Sequence, residues 1–255
     1  MIPIDDAFTL PLLYHLNSEP WLNLEAYADP SNEMQFKTLA GSAASCRLPE
    51  PDSATPLRRL IRERRSCRGF LRRSMPLAVL GDLLQHAYGV NGVIDGLEGG
   101  LRYSRAVPSA GALYPLEVYV AIQSVDGLDD GLYHYQSLDH VLEPVKVEPV
   151  MKDLGDLLLG QYFLETANAA LIFTGVFDRT LKKYGPRGYR YVLFEAGHAA
   201  QNASLLAGEI GLASICVGGF RDGRMNKYLG LDGRTEAALY AVGLGYPQVE
   251  NPSGQ

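Results

Sequence analysis

The sequence predicts an α+β domain: a small, antiparallel-rich central sheet flanked by long helices. Three observations predict it. From Tyr189 to Ile210, apolar residues recur at helical spacing for about six turns. Leu116–Ile122 (LEVYVAI) and Ala169–Phe177 are unbroken apolar runs of strand length. Between them, Gly131–Tyr135 and His140–Glu143 flank the polar turn Ser137–Asp139, as in a β-hairpin.

At 255 residues the chain can bury a substantial core, with an expected division into a 1–54 arm and a 55–250 main domain. The arm is expected to be irregular, because Asp29-Pro30-Ser31-Asn32 and Leu48-Pro49-Glu50-Pro51-Asp52 interrupt any periodicity. Its Leu12, Leu13, Tyr14, Trp21 and Leu22 must nonetheless pack on something, so the arm is expected to lie against the main body. Thr55-Pro56 then reads as an N-cap and first helical residue, leading into Leu57, Leu60 and Ile61. A second helix is expected from about Ser74, with its apolar face at Leu77, Leu80, Leu84, Ala87 and Tyr88 and a stop at Gly89. Gly92–Arg102 is rich in glycine and reads as a mobile loop. Met151–Ala167 reads as helix. In the long helix, Ala196, Ala199, Ala200, Ala203 and Ala207 permit close approach of a neighbour, and Gly211 suits the left-handed position after its end. Leu212–Val217 and Leu239–Gly243 read as two further strands.

The net charge of −6 disfavours nucleic acid and anionic membranes as partners. The start lacks a basic segment followed by a long apolar run, and no stretch is long enough to span a bilayer. Cys46, Cys67 and Cys216 are odd in number and lie far apart, which argues against a disulfide framework or a metal centre. A cytoplasmic setting is expected.

Three clusters carry possible chemistry. Arg62-Glu63-Arg64-Arg65-Ser66-Cys67-Arg68 places four arginines in seven residues of an acidic chain. Guanidinium forks, the Ser66 hydroxyl and nearby amides suit a phosphate; a solvated basic face paired with Glu63 is the plainer alternative. Pro108-Ser109-Ala110-Gly111-Ala112-Leu113 precedes the LEVYVAI strand, and its small residues let backbone approach a flat ligand. It could equally be a turn feeding that strand. Gly218-Gly219 ends a strand and could present an amide to a ring edge or form an ordinary turn. No strand–GxGxxG–helix arrangement supports a Rossmann site. His134 and His198 read as structural, Cys67 as a small packing residue, and Glu195 and Gln201 as candidates for a subunit interface.

In this order the clusters resemble the nitroreductase superfamily, and PSAGALYPLEVYV, GLYHY, KYGPRGYRY, EAGHAAQN and LGLDGRTEAALYAVGLGYP resemble its SagB-type branch. The resemblance implies a nitroreductase-like fold and an intertwined homodimer with FMN at the subunit interface. Arg64, Arg65, Ser66 and Arg68 would hold the FMN phosphate and ribityl chain. Pro108, Ser109, Ala110, Gly111 and Leu113 would lie along the isoalloxazine, and Gly218-Gly219 would face its N5. It further implies oxidation of thiazolines or oxazolines to azoles, with O2 reoxidising the flavin. Lys183 and Tyr184 match the branch's catalytic pair. Azoline aromatisation removes a Cα proton, which a neutral amine or a tyrosinate can accept. Lys182, Arg179, Arg187 and Arg190 make that neighbourhood cationic; a lysine-rich surface loop is the plainer reading. The substrate is expected from another protein, a cyclodehydratase or a carrier. The alternatives are an NAD(P)H-dependent nitro or quinone reductase and a non-catalytic scaffold subunit.

Overall fold

The computed structural model describes residues 9–18, 46–51, 55–95 and 101–248. Its helices are α1 (Thr9–Asn17), α2 (Pro56–Glu63), α3 (Leu77–Tyr88), α4 (Met151–Leu157), α5 (Asp178–Tyr184), α6 (Arg187–Glu209) and α7 (Asp222–Leu229). Its strands are β1 (Val90–Asp95), β2 (Leu101–Arg105), β3 (Leu116–Ile122), β4 (Gly131–Gln136), β5 (Val141–Lys146), β6 (Ala169–Val176), β7 (Ala213–Val217) and β8 (Glu236–Gly245). The main sheet runs β5-β4-β3-β6-β8-β7 with every neighbouring pair antiparallel, and β1 and β2 form a separate ribbon.

β3 and β6 lie in the middle and are covered on both faces, which is why both read as continuous apolar runs. Along β6, Leu171 and Phe173 join the core on the α3–α6 side, whereas Ala170 and Ile172 join the α4–α7 side. Val192, Ala196, Ala199, Ala200, Ala203 and Ala207 form the buried stripe of α6. Their small size brings that helix close to the sheet and to α3. Met151 and Leu154 of α4 and Met225 and Leu229 of α7 close the opposite face.

The two sheet edges are guarded differently. β5 is mostly exposed, and Pro144 removes one of its N–H donors. Beside β7, Ser66 forms a parallel bridge to Ser214, and the Cys67 N–H donates to the Ser214 carbonyl at 3.0 Å.

Several expectations are corrected. The arm is helical over α1, while Trp21, Leu22 and Asp29–Asn32 lie outside the described residues. Thr55 occupies the N-cap position of α2, yet its side chain makes no capping hydrogen bond. The glycine-rich stretch from Gly92 is not a simple loop but a paired ribbon, with Val93 opposite Tyr103 and Ile94 opposite Arg102. The 151–167 helix breaks after Leu157, where Leu159 and Gly160 adopt φ of 57° and 83°, and resumes as a 3-10 turn over Tyr162–Thr166. The segments forming α5 and α7 are short and carry no apolar run, so no helical periodicity marks them in the sequence. Among the described residues, no helix is long and apolar enough to cross a membrane, and no His, Cys, Asp and Glu group could hold a metal.

α1 docks through His15, which is buried with Nδ1 2.9 Å from Tyr189 Oη and its ring edge-on to Phe177. Its Nε2 has no partner among the described residues, and burial lowers the imidazole pKa below the ordinary value. The fold therefore favours the neutral ring. Its contribution is complete above the ordinary value of about 6.5 and is lost as pH falls through the depressed folded value. An NMR titration should place the His15 midpoint below that of free histidine, and α1 resonances should shift with the same midpoint; a midpoint at the free value would disprove the coupling.

Candidate active site

The arginine block starts where α2 ends. Arg64 is the C-cap, and the Arg65 guanidinium donates to the Arg62 and Arg64 carbonyls at 2.8 and 2.9 Å, satisfying groups that a helix C-terminus leaves open. A helix C-terminus carries partial negative charge, so any attraction for an anion here comes from the guanidinium groups. Arg64 is half-buried, whereas Arg65, Ser66 and Arg68 are exposed. Among the described residues, none of the three arginines is ion-paired to a carboxylate. The bridge from Ser66 to Ser214 carries the block onto β7, and that strand ends at Gly218-Gly219. Across from it, Tyr240 stands within reach of Cys216 and Arg64, and burial pushes its phenol up to about 12. A side chain added at Gly218 would meet only the Tyr240 ring, at 3.4 Å, and one at Gly219 only Leu159. Neither glycine has positive φ, so the chain's own packing does not require glycine at either place.

The second group gathers around the loop before β3. Gly111 has φ of 65°, and a methyl group on it would lie 2.7 Å from Tyr184 Oη and 3.1 Å from Lys183 Nζ. The structure thus brings the Lys-Tyr pair at the end of α5 onto the loop that precedes β3. Lys183 is exposed and Tyr184 half-buried, with the Tyr184 ring edge-on to Tyr191 at 5.2 Å. Arg102 of the ribbon donates to the Gly111 carbonyl at 3.0 Å. Ala110 and Leu113 are half-buried and Pro108 exposed, while the Ser109 hydroxyl accepts the Tyr114 N–H at 2.9 Å. α5 is fixed from below, because Arg179 pairs with Glu117 at 2.6 Å. Burial works to raise the Glu117 carboxyl, but His134 and Arg179 hold it below its ordinary value. His134 in turn bridges Glu117 and Glu143 at 3.1 and 2.9 Å, and the bond to Glu117 raises its pKa. His134 is thus a structural residue.

Among the described residues, no hydrogen bond joins the arginine group to the Gly111 group. The sequence reading missed Arg102, which no spacing marks, and misplaced Glu195. Glu195 is not on a surface; it is buried and accepts from Tyr88 Oη at 2.6 Å. Its signal was legible, since a charged residue in register with Val192, Ala196 and Ala199 falls on the buried stripe. His198 is exposed on α6, and the half-buried Cys67 thiol lies 3.1 Å from the Gly69 carbonyl.

Residues 61–246 match the nitroreductase family. The chain belongs to that family. It is 36% identical over 189 residues to MJ1384, a nitroreductase-type protein of Methanocaldococcus jannaschii, covering 74% of this chain and 91% of that one. It is 37% identical over 140 residues to the microcin B17-processing protein McbC of Escherichia coli, covering 53% of this chain and 52% of McbC. The match thus spans about half of McbC. Among solved structures, the Escherichia coli microcin synthetase McbBCD complex with truncated pro-MccB17 bound contains a similar chain. It has a TM-score of 0.68 at 27% identity, over 94% of this chain and 87% of that one. The nitroreductase-like fold and the likeness to a SagB-type protein both agree with the sequence reading.

The two glycine sites of this nitroreductase-family chain make contrasting demands. Gly111→Ala meets both a left-handed backbone, costing about 1–2 kcal/mol for an L-residue, and the Tyr184 hydroxyl. Gly218→Ala meets an ordinary contact. Urea unfolding should show the first variant destabilised by at least about 1 kcal/mol and the second close to the parent; equal stabilities would mean that Gly111 carries no such constraint.

Proposed function

We propose that this nitroreductase-family chain is an FMN-dependent oxidoreductase that dehydrogenates a peptide- or amino-acid-derived azoline to an azole, with O2 as final acceptor. The observation that carries the reading is the seating of Lys183 and Tyr184 on Gly111, in a chain similar to McbC. The residues present suit FMN. Arg64, Arg65 and Arg68 lack carboxylate partners among the described residues and stand with Ser66 on the segment bridged to Ser214 of β7, an arrangement that suits a phosphate. Gly218 and Gly219, which internal packing does not demand, would give a ring edge access to backbone amides. Pro108, Ser109, Ala110, Gly111 and Leu113 would form the opposing wall.

When bound, FMN supplies a hydride acceptor. This chain's own part is to hold the substrate ring and take its Cα proton, on Lys183 Nζ or the Tyr184 oxygen. The absence of a side chain at Gly111 keeps both atoms close to the loop backbone, so that they act at one point above it. Among the described residues no hydrogen bond joins the arginine group to the Gly111 group, and we infer, as the family resemblance implies, that a second copy completes each site and that the protein acts as a homodimer. The azoline would come from a separate cyclodehydratase or a carrier-bound intermediate, in keeping with the multiprotein McbBCD complex. Reducing, cytoplasmic surroundings suit three unpaired cysteines.

The purified protein should be yellow, releasing about one FMN per chain on heating, and Arg64→Ala should weaken FMN binding by about 1.5–3 kcal/mol, the worth of a hydrogen bond to a charged group. Unchanged affinity in a fluorescence titration would put the phosphate elsewhere. Lys183→Ala and Tyr184→Phe should keep FMN and its spectrum, while at least one loses azoline oxidation by about 100- to 10,000-fold, the usual share of a positioned base. Full turnover by both would overturn the role. Rapid NADPH-driven reduction of a nitroarene or quinone, with no azoline oxidation, would make the protein a reductase instead.

A further inference from the structure

A single buried carboxyl reaches both ends of the loop on which Lys183 and Tyr184 sit. Glu195, in the middle of α6, is 2% exposed. It accepts from Tyr88 Oη at 2.6 Å, and the nearby Ser109 hydroxyl favours its charged form. Each donor also accepts a backbone N–H from the loop or its exit: Ser109 Oγ takes that of Tyr114 at 2.9 Å, and Tyr88 Oη takes that of Leu116 at 3.3 Å. Between these anchors the backbone is strained. Gly111, Ala112 and Tyr114 have φ of 65°, 51° and 45°, a left-handed region that crowds any Cβ and that persists only where surroundings enforce it. Arg105 supports the anchors from the ribbon: its guanidinium lies 4.5 Å from the Tyr88 ring centroid, and its backbone N–H donates to Tyr114 Oη at 3.2 Å.

We propose that Glu195 is a positioning residue whose carboxylate, acting through Tyr88 and Ser109, holds the Ser109–Leu116 stretch in the strained form that seats Gly111 against Lys183 and Tyr184. A carboxylate accepts both hydroxyls at once. A protonated carboxyl or an amide becomes a donor on one side and gives up one of them. The proposal rests on the assignment of this loop to the active site, yet the hold itself is a property of the chain without any ligand.

The carboxyl is costly to keep ionised. Burial raises its pKa, and the bonds from Ser109 and Tyr88 with the charge of Arg105 offset this only in part. The groups facing it are Tyr88 of α3, Arg105 of β2 and Ser109 of the loop; on α6 itself, Tyr191 and the exposed His198 stand a turn away on either side. With the folded pKa above the unfolded one, the folded chain binds the proton more tightly. The stability due to this group is therefore full below the ordinary glutamate value of about 4.3 and is lost as pH rises through the folded pKa.

Glu195→Gln separates the two roles, because it keeps the shape and removes the charge. At neutral pH its thermal midpoint should equal or exceed that of the parent. In the ligand-free chain, hydrogen-exchange protection factors of the Tyr114 and Leu116 amides should drop at least about tenfold while that of Phe173 in β6 holds. Tyr88→Phe should lower protection at Leu116 and leave Tyr114 protected. In the FMN-loaded enzyme, Glu195→Gln should slow turnover by about 10- to 100-fold, the usual effect of slight misplacement of reacting groups, and its acid limb should vanish from the pH profile. Parental protection at Tyr114 and Leu116 would overturn the proposal, as would a lowered midpoint with protection lost uniformly across the core. A parent chain that binds no FMN would instead sink the functional reading, and the amide protections would still decide the role of Glu195.

Discussion

The pairing of β3 with β6 runs from Leu116 opposite Gly175 to Ile122 opposite Ala169, and Val176 continues it by donating to the Pro115 carbonyl at 2.8 Å. Because the strands are antiparallel, the segment entering β3 must lie where β6 leaves the sheet. The chain enters β3 through the Ser109–Leu113 loop and leaves β6 through α5. Gly111 and Lys183, 72 positions apart in sequence, are therefore neighbours by register alone. A one-residue slip would turn every side chain of β3 to the other face, exchanging Val118 and Val120 for Tyr119 and Ala121 against α6. The apolar pattern thus fixes the geometry of the candidate site before any polar contact forms.

The other half of the site is placed by a different device. The arginine segment is laid against β7 through Ser66 and Cys67, so it follows the edge of the sheet and not a loop of its own. One half depends on the β7 edge of the sheet and the other on its central β3–β6 pair. Their residues answer different needs: the arginine side offers charge that no carboxylate among the described residues neutralises, and the Gly111 side offers strained backbone held by buried polar groups. Such a division suits a ligand with a charged tail and a flat, weakly polar ring.

How much was legible in the sequence follows from these physical causes. β3, β6 and α6 were readable because each buries most of its surface, leaving apolar residues at the period of its own backbone. α5 was not, since Asp178–Tyr184 is short, mostly polar and held by the Arg179–Glu117 pair instead of an apolar stripe. The ribbon was hidden by glycine, which reads as loop unless its partner strand is known. The seating of Lys183 on Gly111 has no local signature, because it arises from pairing across the sheet; only resemblance to a family pointed to that pair. Glu195 was visible as a charge on an alanine stripe, but its partner Tyr88 lies on another helix, so the sequence showed the anomaly without its explanation.

The two guarded edges of the sheet carry a consequence for assembly. On one side Pro144 leaves β5 with a gap in its row of donors, and on the other the Ser66–Cys67 segment already takes the Ser214 carbonyl of β7. Growth by adding a strand from a neighbouring molecule is therefore disfavoured in both directions. That leaves helix surfaces and loops as the more open faces for companions of this chain, where contacts are made by side chains and can be selective, unlike a backbone ladder, which would accept almost any extended peptide.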